Sequence, residues 1–245
     1  MLTQKQIKFL RKELATAKNP LFFYDGDGDG LASFLLLYRI HREGKSFALR
    51  TTSVLDDRFL RKVDEWQPDK IFVLDIPIVT QEFIDKAKKP IFWIDHHPPL
   101  DRKNVHYFNP RIKEPDAYIP TSRMAWQVST RKEDLWIATA GCLADWYMPN
   151  FISKFAKKFP QYLPRKFGLA RTVFKEKVSE LVKLFFFLQK GSSSDITKSV
   201  KVLSRINSPD EIFKQETPQG NFLYKRFMKI NEKYEILLDK TKKSV

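Results

Sequence analysis

Short apolar runs alternate with longer amphipathic stretches through the first 110 residues. LFFY (21–24) predicts a strand, and LASFLLLYRIHREG (31–44) predicts a helix ended by Gly44. SFALRTT (46–52) follows as a strand and DDRFLRKVDEW (56–66) as a helix that Asp56 can cap. KIFVLDI (70–76), PIFWID (90–95) and VHYF (105–108) predict further strands, with a short helix, TQEFIDKAKK (80–89), between the first two. Strands separated by helices of this length imply parallel βαβ units, hence an α/β fold with a doubly wound, mainly parallel sheet and flanking helices. Runs as apolar as these fit strands covered on both faces.

Beyond this region the period is helical. TSRMAWQVS (121–129) begins at Thr121 or Ser122, and EDLWIATAGCLADWYM (133–148) ends before Pro149. The Lys-, Phe- and Pro-rich stretch 150–168 is a candidate boundary. It divides residues 1–150 from an all-helical region, 151–245, with helices at 169–190, 195–206, 209–215 and 218–241. In the last, Leu223, Phe227, Ile230, Tyr234 and Leu237 form one apolar seam that must pack on something.

Charge sharpens this division. The net charge of +15 is carried unevenly: residues 1–150 hold 23 Lys/Arg against 20 Asp/Glu, whereas 151–245 hold 21 against 9. A basic surface attracts polyanions through counterion release, so nucleic acid is the first candidate partner. No apolar run approaches the ~18 residues of a membrane span. The N-terminus lacks an apolar signal core, and a single cysteine, Cys142, fits a reducing interior. A cytoplasmic protein is expected.

Candidate chemistry lies where the strands stop. Doubly wound sheets bind ligands beyond the carboxyl ends of their strands. Here LFFY runs into DGDGDG (Asp25, Asp27, Asp29), IFVL into Asp75, and IFWI into Asp95-His96-His97. Unpaired carboxylates repel one another unless cations neutralise them, and carboxylate with imidazole suits Mn²⁺, Mg²⁺ or Zn²⁺. Two such ions sharing a carboxylate can clamp a phosphoryl transfer. DGDGDG also looks like the start of a calcium loop, but the twelfth position is Leu36 where a glutamate is needed. Thr121 and Ser122 at a helix start offer a phosphate their hydroxyls and N–H groups, and Arg123 is a third candidate contact. Cys142 reads as a small core residue.

DGDGDGLAS, the strand-end Asp75, DHH and TAGCLADW occur in the order of motifs I to IV of the DHH phosphoesterase superfamily. FNPR and YIPTSRMAW resemble the segment between motifs III and IV in its RecJ-like branch, so the resemblance covers roughly residues 20–150. It implies a catalytic domain over 1–150 with two divalent cations, Mn²⁺ first and Mg²⁺ second, that hydrolyses phosphodiester or phosphoanhydride bonds. Asp25, Asp27 and Asp29 would be ligands, Asp75 would bridge, and His96 and Asp145 would complete the set. His97 would face the scissile phosphate, and Asp95 would orient the histidines. The chain departs from the family after residue 168: only Gly191 and Gly220 remain, with no histidine, so the usual glycine-rich substrate-gripping motif has no counterpart. A separate polypeptide, the basic helical region or a longer chain would then supply that function, and the 223–237 seam favours a partner or self-association.

The implied activity is a RecJ-like exonuclease on single-stranded DNA or RNA. The alternatives are a phosphodiesterase for short oligonucleotides or cyclic dinucleotides, and a replication-associated scaffold with little catalysis. A pyrophosphatase would need a histidine where Phe23 stands.

Overall fold

The computed structural model describes residues 1–164 and 168–243. Five parallel strands form the central sheet: β1 (Pro20–Asp25), β2 (Lys45–Leu49), β4 (Lys70–Leu74), β6 (Ile91–Ile94) and β7 (His106–Phe108). Their order is β2-β1-β4-β6-β7, and β3 (Val54–Leu55) pairs with β5 (Ile78–Val79) in a separate parallel bridge. The chain leaves β1 toward β2 and then returns to the other side of β1, so the switch point of the sheet lies between β1 and β4.

The period-two alternation of side chains sorts the strands between two cores. Phe22, Tyr24, Phe72, Leu74, Phe92 and Ile94 face α1 (Gln4–Thr16), α2 (Gly28–His41), α5 (Thr121–Val128) and α6 (Leu135–Ala144). Leu21, Phe23, Ile71, Val73, Ile91 and Trp93 face α3 (Leu60–Trp66) and α4 (Gln81–Ala87). On the first face the paired residues Phe22, Phe72, Phe92 and His106 stack ring on ring, with centroids 5.2, 5.0 and 5.1 Å apart. That ladder fixes the register of four strands.

The observed elements refine the predicted ones. Helix α2 starts at Gly28, inside the Asp-Gly repeat, because Asp27 caps it by accepting from Gly30 N–H at 2.8 Å. It ends at His41, with Arg42 rather than Gly44 as its left-handed cap. Asp56 does cap its helix, whose first turn is 3₁₀. The amphipathic N-terminus forms α1, started by a reciprocal Thr3–Gln6 capping box. Stretch 150–168 holds a helix, α7 (Ile152–Lys158), and buries Phe155, Phe159 and Leu163 in the first core. Predicted helix 169–190 is two helices, α8 (Leu169–Phe174) and α9 (Val178–Phe187). Then come α10 (Ser193–Leu203), α11 (Pro209–Phe213) and α12 (Pro218–Lys243). The α12 seam is buried at Leu223 and Phe227 and exposed at Tyr234 and Leu237. No helix among the described residues is long and apolar enough to cross a membrane.

One buried ion pair joins the C-terminal helices to the sheet. Arg39 of α2 is buried, with its guanidinium 2.8–2.9 Å from both Asp134 oxygens. Its remaining nitrogen donates to the carbonyls of Ser204 and Ile206, at 2.8 and 2.7 Å, just beyond the C-terminus of α10. Asp134→Ala would strand the charge and cost about 3–5 kcal/mol in urea unfolding. The double variant Arg39→Met/Asp134→Leu is expected to recover part of that loss but not all, since the two carbonyls stay without their donor.

Candidate metal centre

The strand register builds the site. Tyr24, Leu74, Ile94 and Phe108 lie level across β1, β4, β6 and β7. The residues that follow them, Asp25, Asp75, Asp95 and Asn109, therefore leave the sheet along one edge. Asp75 takes a left-handed backbone, φ 61°, held by its N–H donating to the Ile94 carbonyl at 3.0 Å. Such a conformation is rare outside glycine, asparagine and aspartate. A Cβ on Gly30 would sit 2.3 Å from the Asp25 carbonyl, so only glycine lets α2 start this close to β1.

Asp27 and Asp29 come from the start of α2. Asp29 is 1% exposed and accepts from two backbone N–H groups at the N-terminus of α5, those of Thr121 (2.8 Å) and Ser122 (2.9 Å). Pro120 gives α5 no side-chain cap, so the Asp29 carboxylate caps it from another element. Thr121 Oγ1 donates to Asp75 at 2.9 Å. At the end of α6, Asp145 lies with its Oδ2 3.6 Å from His96 Nε2, which is also 3.4 Å from Asp75 Oδ1.

Asp95 is buried and grips His97. Its Oδ1 is 2.7 Å from His97 Nδ1, and its Oδ2 accepts from His97 N–H (3.1 Å), Tyr107 Oη (3.2 Å) and Asn109 Nδ2 (3.2 Å). His97 N–H and the Asp95 contact leave Nε2 uncommitted on a partly exposed ring.

The electrostatics follow from burying like charges together. Burial first and the Asp27 charge second push Asp25 up to about 6. Burial, then Asp145 and Asp27, push Asp29 up to about 8. Burial, then Asp29 and Asp27, hold Asp75 well above the usual range. Burial also raises Asp27, and raises Asp145 to about 6. His96 falls to about 4 through burial and the neighbouring His97, so it is neutral at pH 7 and keeps a lone pair to offer. His97 moves the other way: burial opposes its charge, but the Asp95 hydrogen bond and charge prevail.

This donor set fits divalent cations. Three groups place ligand atoms within 4.8 Å of one another: Asp25-Asp27-Asp75, Asp29-His96-Asp145 and Asp75-His96-His97. Among the described residues no Lys or Arg pairs with Asp25, Asp27, Asp29, Asp75 or Asp145. Asp145 Oδ2 is buried with no hydrogen-bond partner. Thr121 and Ser122 lie at the acids, with both backbone donors taken by Asp29 rather than free for a phosphate. Arg123 points elsewhere, to Asn150 Oδ1 at 3.1 Å and the face of Phe151. Cys142 is a buried core residue.

Sequence pattern leaves four supporting residues unassigned: Tyr107 and Asn109, which fix Asp95, Tyr118, whose Oη donates to the Asp145 carbonyl at 2.5 Å, and Gln189, just beyond α9, which donates to the Asp27 carbonyl. Asn109, in FNPR, and Tyr118, in YIPTSRMAW, carry a signal; Tyr107 and Gln189 carry none.

The profile of the DHH family, N-terminal domain, matches residues 22–145. The chain belongs to the DHH family. Its fold is similar to that of RecJ from Thermus thermophilus in complex with Mn²⁺ (TM-score 0.65, 12% identity), over 98% of this chain and 39% of that one. It is also similar to a manganese-bound exonuclease RecJ (0.55, 14%; 100% and 70%). A third similar structure is the DHH domain of a protein described as a member of a ribosomal-protein family (0.63, 12%; 96% and 61%). This DHH chain thus spans well under half of the Thermus protein. No curated protein matches its sequence.

The raised carboxyls give the metal-free protein a definite pH dependence. Each binds its proton more tightly folded than unfolded, where the value is near 3.8. Their stabilisation is therefore complete below about pH 4 and is lost as pH rises through about 6 for Asp25 and Asp145 and about 8 for Asp29. In EDTA, Tm should fall from pH 5 to 8, and added Mn²⁺ or Mg²⁺ should restore it most at pH 8. Asp75→Asn, which tolerates the same backbone, should be more stable than wild type in EDTA at pH 8 and gain less from the cation. Equal cation effects on the two proteins would contradict the assignment.

Proposed function

We propose that this DHH protein is a metal-dependent phosphoesterase and, within that class, an exonuclease on single-stranded DNA or RNA. The observation that carries it is the completeness of the donor set: Asp25, Asp27, Asp29, Asp75, His96 and Asp145 converge from four chain segments, and among the described residues no lysine or arginine pairs with them. In this reading residues 1–150 are the catalytic domain and 151–245 the basic helical extension. Asp75 belongs to two of the three ligand groups, which suits a carboxylate shared by two ions. Divalent cations, Mn²⁺ or Mg²⁺, would when bound polarise the phosphoryl oxygens and make water acidic enough to attack.

The chain's own residues do the rest. The α5 N-terminus and Thr121 hold Asp29 and Asp75 against mutual repulsion, so the ligands keep their positions before any ion arrives. Asp95 keeps His97 in one orientation and favours its protonated form. Nε2 of that imidazolium would hold a non-bridging phosphate oxygen or give its proton to the departing oxygen. Thr121 and Ser122 act here through the carboxylates they position. An intact ligand set favours hydrolysis over a purely scaffolding role. Nucleic acid is the preferred substrate class because the positive charge concentrated in residues 151–245 attracts polyanions. The RecJ structures of the same fold, one of them described as an exonuclease, lend support.

Purified protein with Mn²⁺ should degrade a labelled single strand in preference to duplex, dinucleotide or pyrophosphate. Asp75→Ala and His96→Ala should abolish turnover, and His97→Ala should lower kcat by about 10²- to 10⁴-fold. Full activity in Asp75→Ala would sink the metal-site assignment, and turnover of pyrophosphate alone would sink the nuclease reading.

A further inference from the structure

Three large aromatic side chains stand exposed around Asp145. Trp146 is the next residue, with a left-handed backbone (φ 54°) and 49% of its surface exposed. Phe174 of α8, 66% exposed, packs edge-on against Trp146 with ring centroids 5.0 Å apart. Tyr118, 50% exposed, reaches the Asp145 carbonyl with its hydroxyl and sets its ring 5.8 Å from that of His96. Among the described residues only one other exposed aromatic occurs, Tyr234 on α12. A tryptophan held in a sparsely populated backbone conformation to face solvent costs stability twice, in strain and in unburied apolar area. Lys175 and Lys177, both exposed, follow Phe174 closely.

We infer that Trp146 and Phe174, with Tyr118 on the other side of Asp145, form a stacking platform for unpaired nucleobases beside the metal centre. Every base has a π-face, so stacked aromatics grip single strands with little regard for sequence, and neighbouring cations track the phosphates. A base in a duplex is already stacked on its neighbours and is not available to such rings. The platform therefore supplies what the carboxylates cannot, a preference for a nucleotide over any other phosphoester. The lysines favour a polyanion over an apolar peptide as the occupant. Where the strand is also cut, the inference rests on the phosphoesterase reading; the binding does not.

Fluorescence anisotropy of full-length protein tests it, with a short labelled oligothymidylate and an abasic strand of equal length, both carrying hydrolysis-resistant phosphorothioate linkages and both in Mg²⁺. Wild type should bind the base-bearing strand about tenfold or more tighter than the abasic one. Trp146→Ala and Phe174→Ala should each lose most of that preference, and Trp146→Phe should keep it. Phe174 lies on α8, on a different segment from every proposed metal ligand, so its variant leaves the backbone of Asp145 unaltered. Equal binding of both strands by wild type, no binding of either, or an unaltered preference in Phe174→Ala would overturn the inference. A base preference without hydrolysis of any phosphoester would overturn the phosphoesterase reading alone. Hydrolysis without a base preference would overturn only the platform.

Discussion

Everything at the carboxyl edge of this sheet depends on keeping five carboxyl groups together where no lysine or arginine among the described residues pairs with them. Backbone dipoles do a small part. The N-terminus of α5 carries roughly half a positive charge, and its interaction with a buried anion amounts to about 2 kcal/mol at most. That is enough to orient Asp29 but not to ionise it at neutral pH, since its pKa still stands at about 8. The remaining compensation has to come from protons or from bound cations. Alone, the cluster keeps part of its protons; a divalent cation would compete with them for the same oxygens.

Much of this is legible along the chain, for a physical reason. Parallel strands buried on both faces appear as unbroken apolar runs, so their ends are sharp, and Asp25, Asp75 and Asp95 mark those ends directly. A row of residues that leave a sheet together needs only the register, and the register here is the simple one. Asp145 is harder, because it closes an apolar helix and its place at the site depends on how α6 packs against α2. Motif resemblance alone assigns it, and the structure brings it to His96.

Other features are hidden from the sequence because they exist only between elements. A helix start at Thr121 is visible in YIPTSR, but the carboxyl group it holds belongs to Asp29 of the same protein, 92 residues earlier. Groups that look free for a ligand are thus engaged in building the ligand set. Tyr107, Asn109 and Gln189 are each defined by the atom they touch, and of these only Asn109 sits in a recognisable motif. The 150–168 stretch looks like a connector by composition, yet Phe151, Phe155, Phe159 and Tyr162 are buried in the first core. Lysine and proline content describes the exposed side of that segment, and says nothing of what Phe155 and Phe159 meet.

The basic C-terminal helices do not simply hang from the site. Helix α2, which carries Asp29 at its start, is touched by them near both ends. Near its first residue, a Cβ on Gly28 would meet Ala144 at 2.5 Å and Phe186 of α9 at 3.3 Å. Gln189 holds the Asp27 carbonyl, and Arg39 near the other end ties down the chain as it leaves α10. A displacement of α9 or α10 would therefore have to move α2, and with it two candidate metal ligands. The far half of α12 is tied to α9 as well, through the Lys183–Glu235 ion pair at 3.2 Å and the Phe187–Tyr234 ring contact, while Ile236 and Leu237 stay exposed. The region that brings the positive charge is thus built into the helix that brings the negative charge. The positive charge of that region is therefore held in fixed relation to the carboxyl groups at the start of α2.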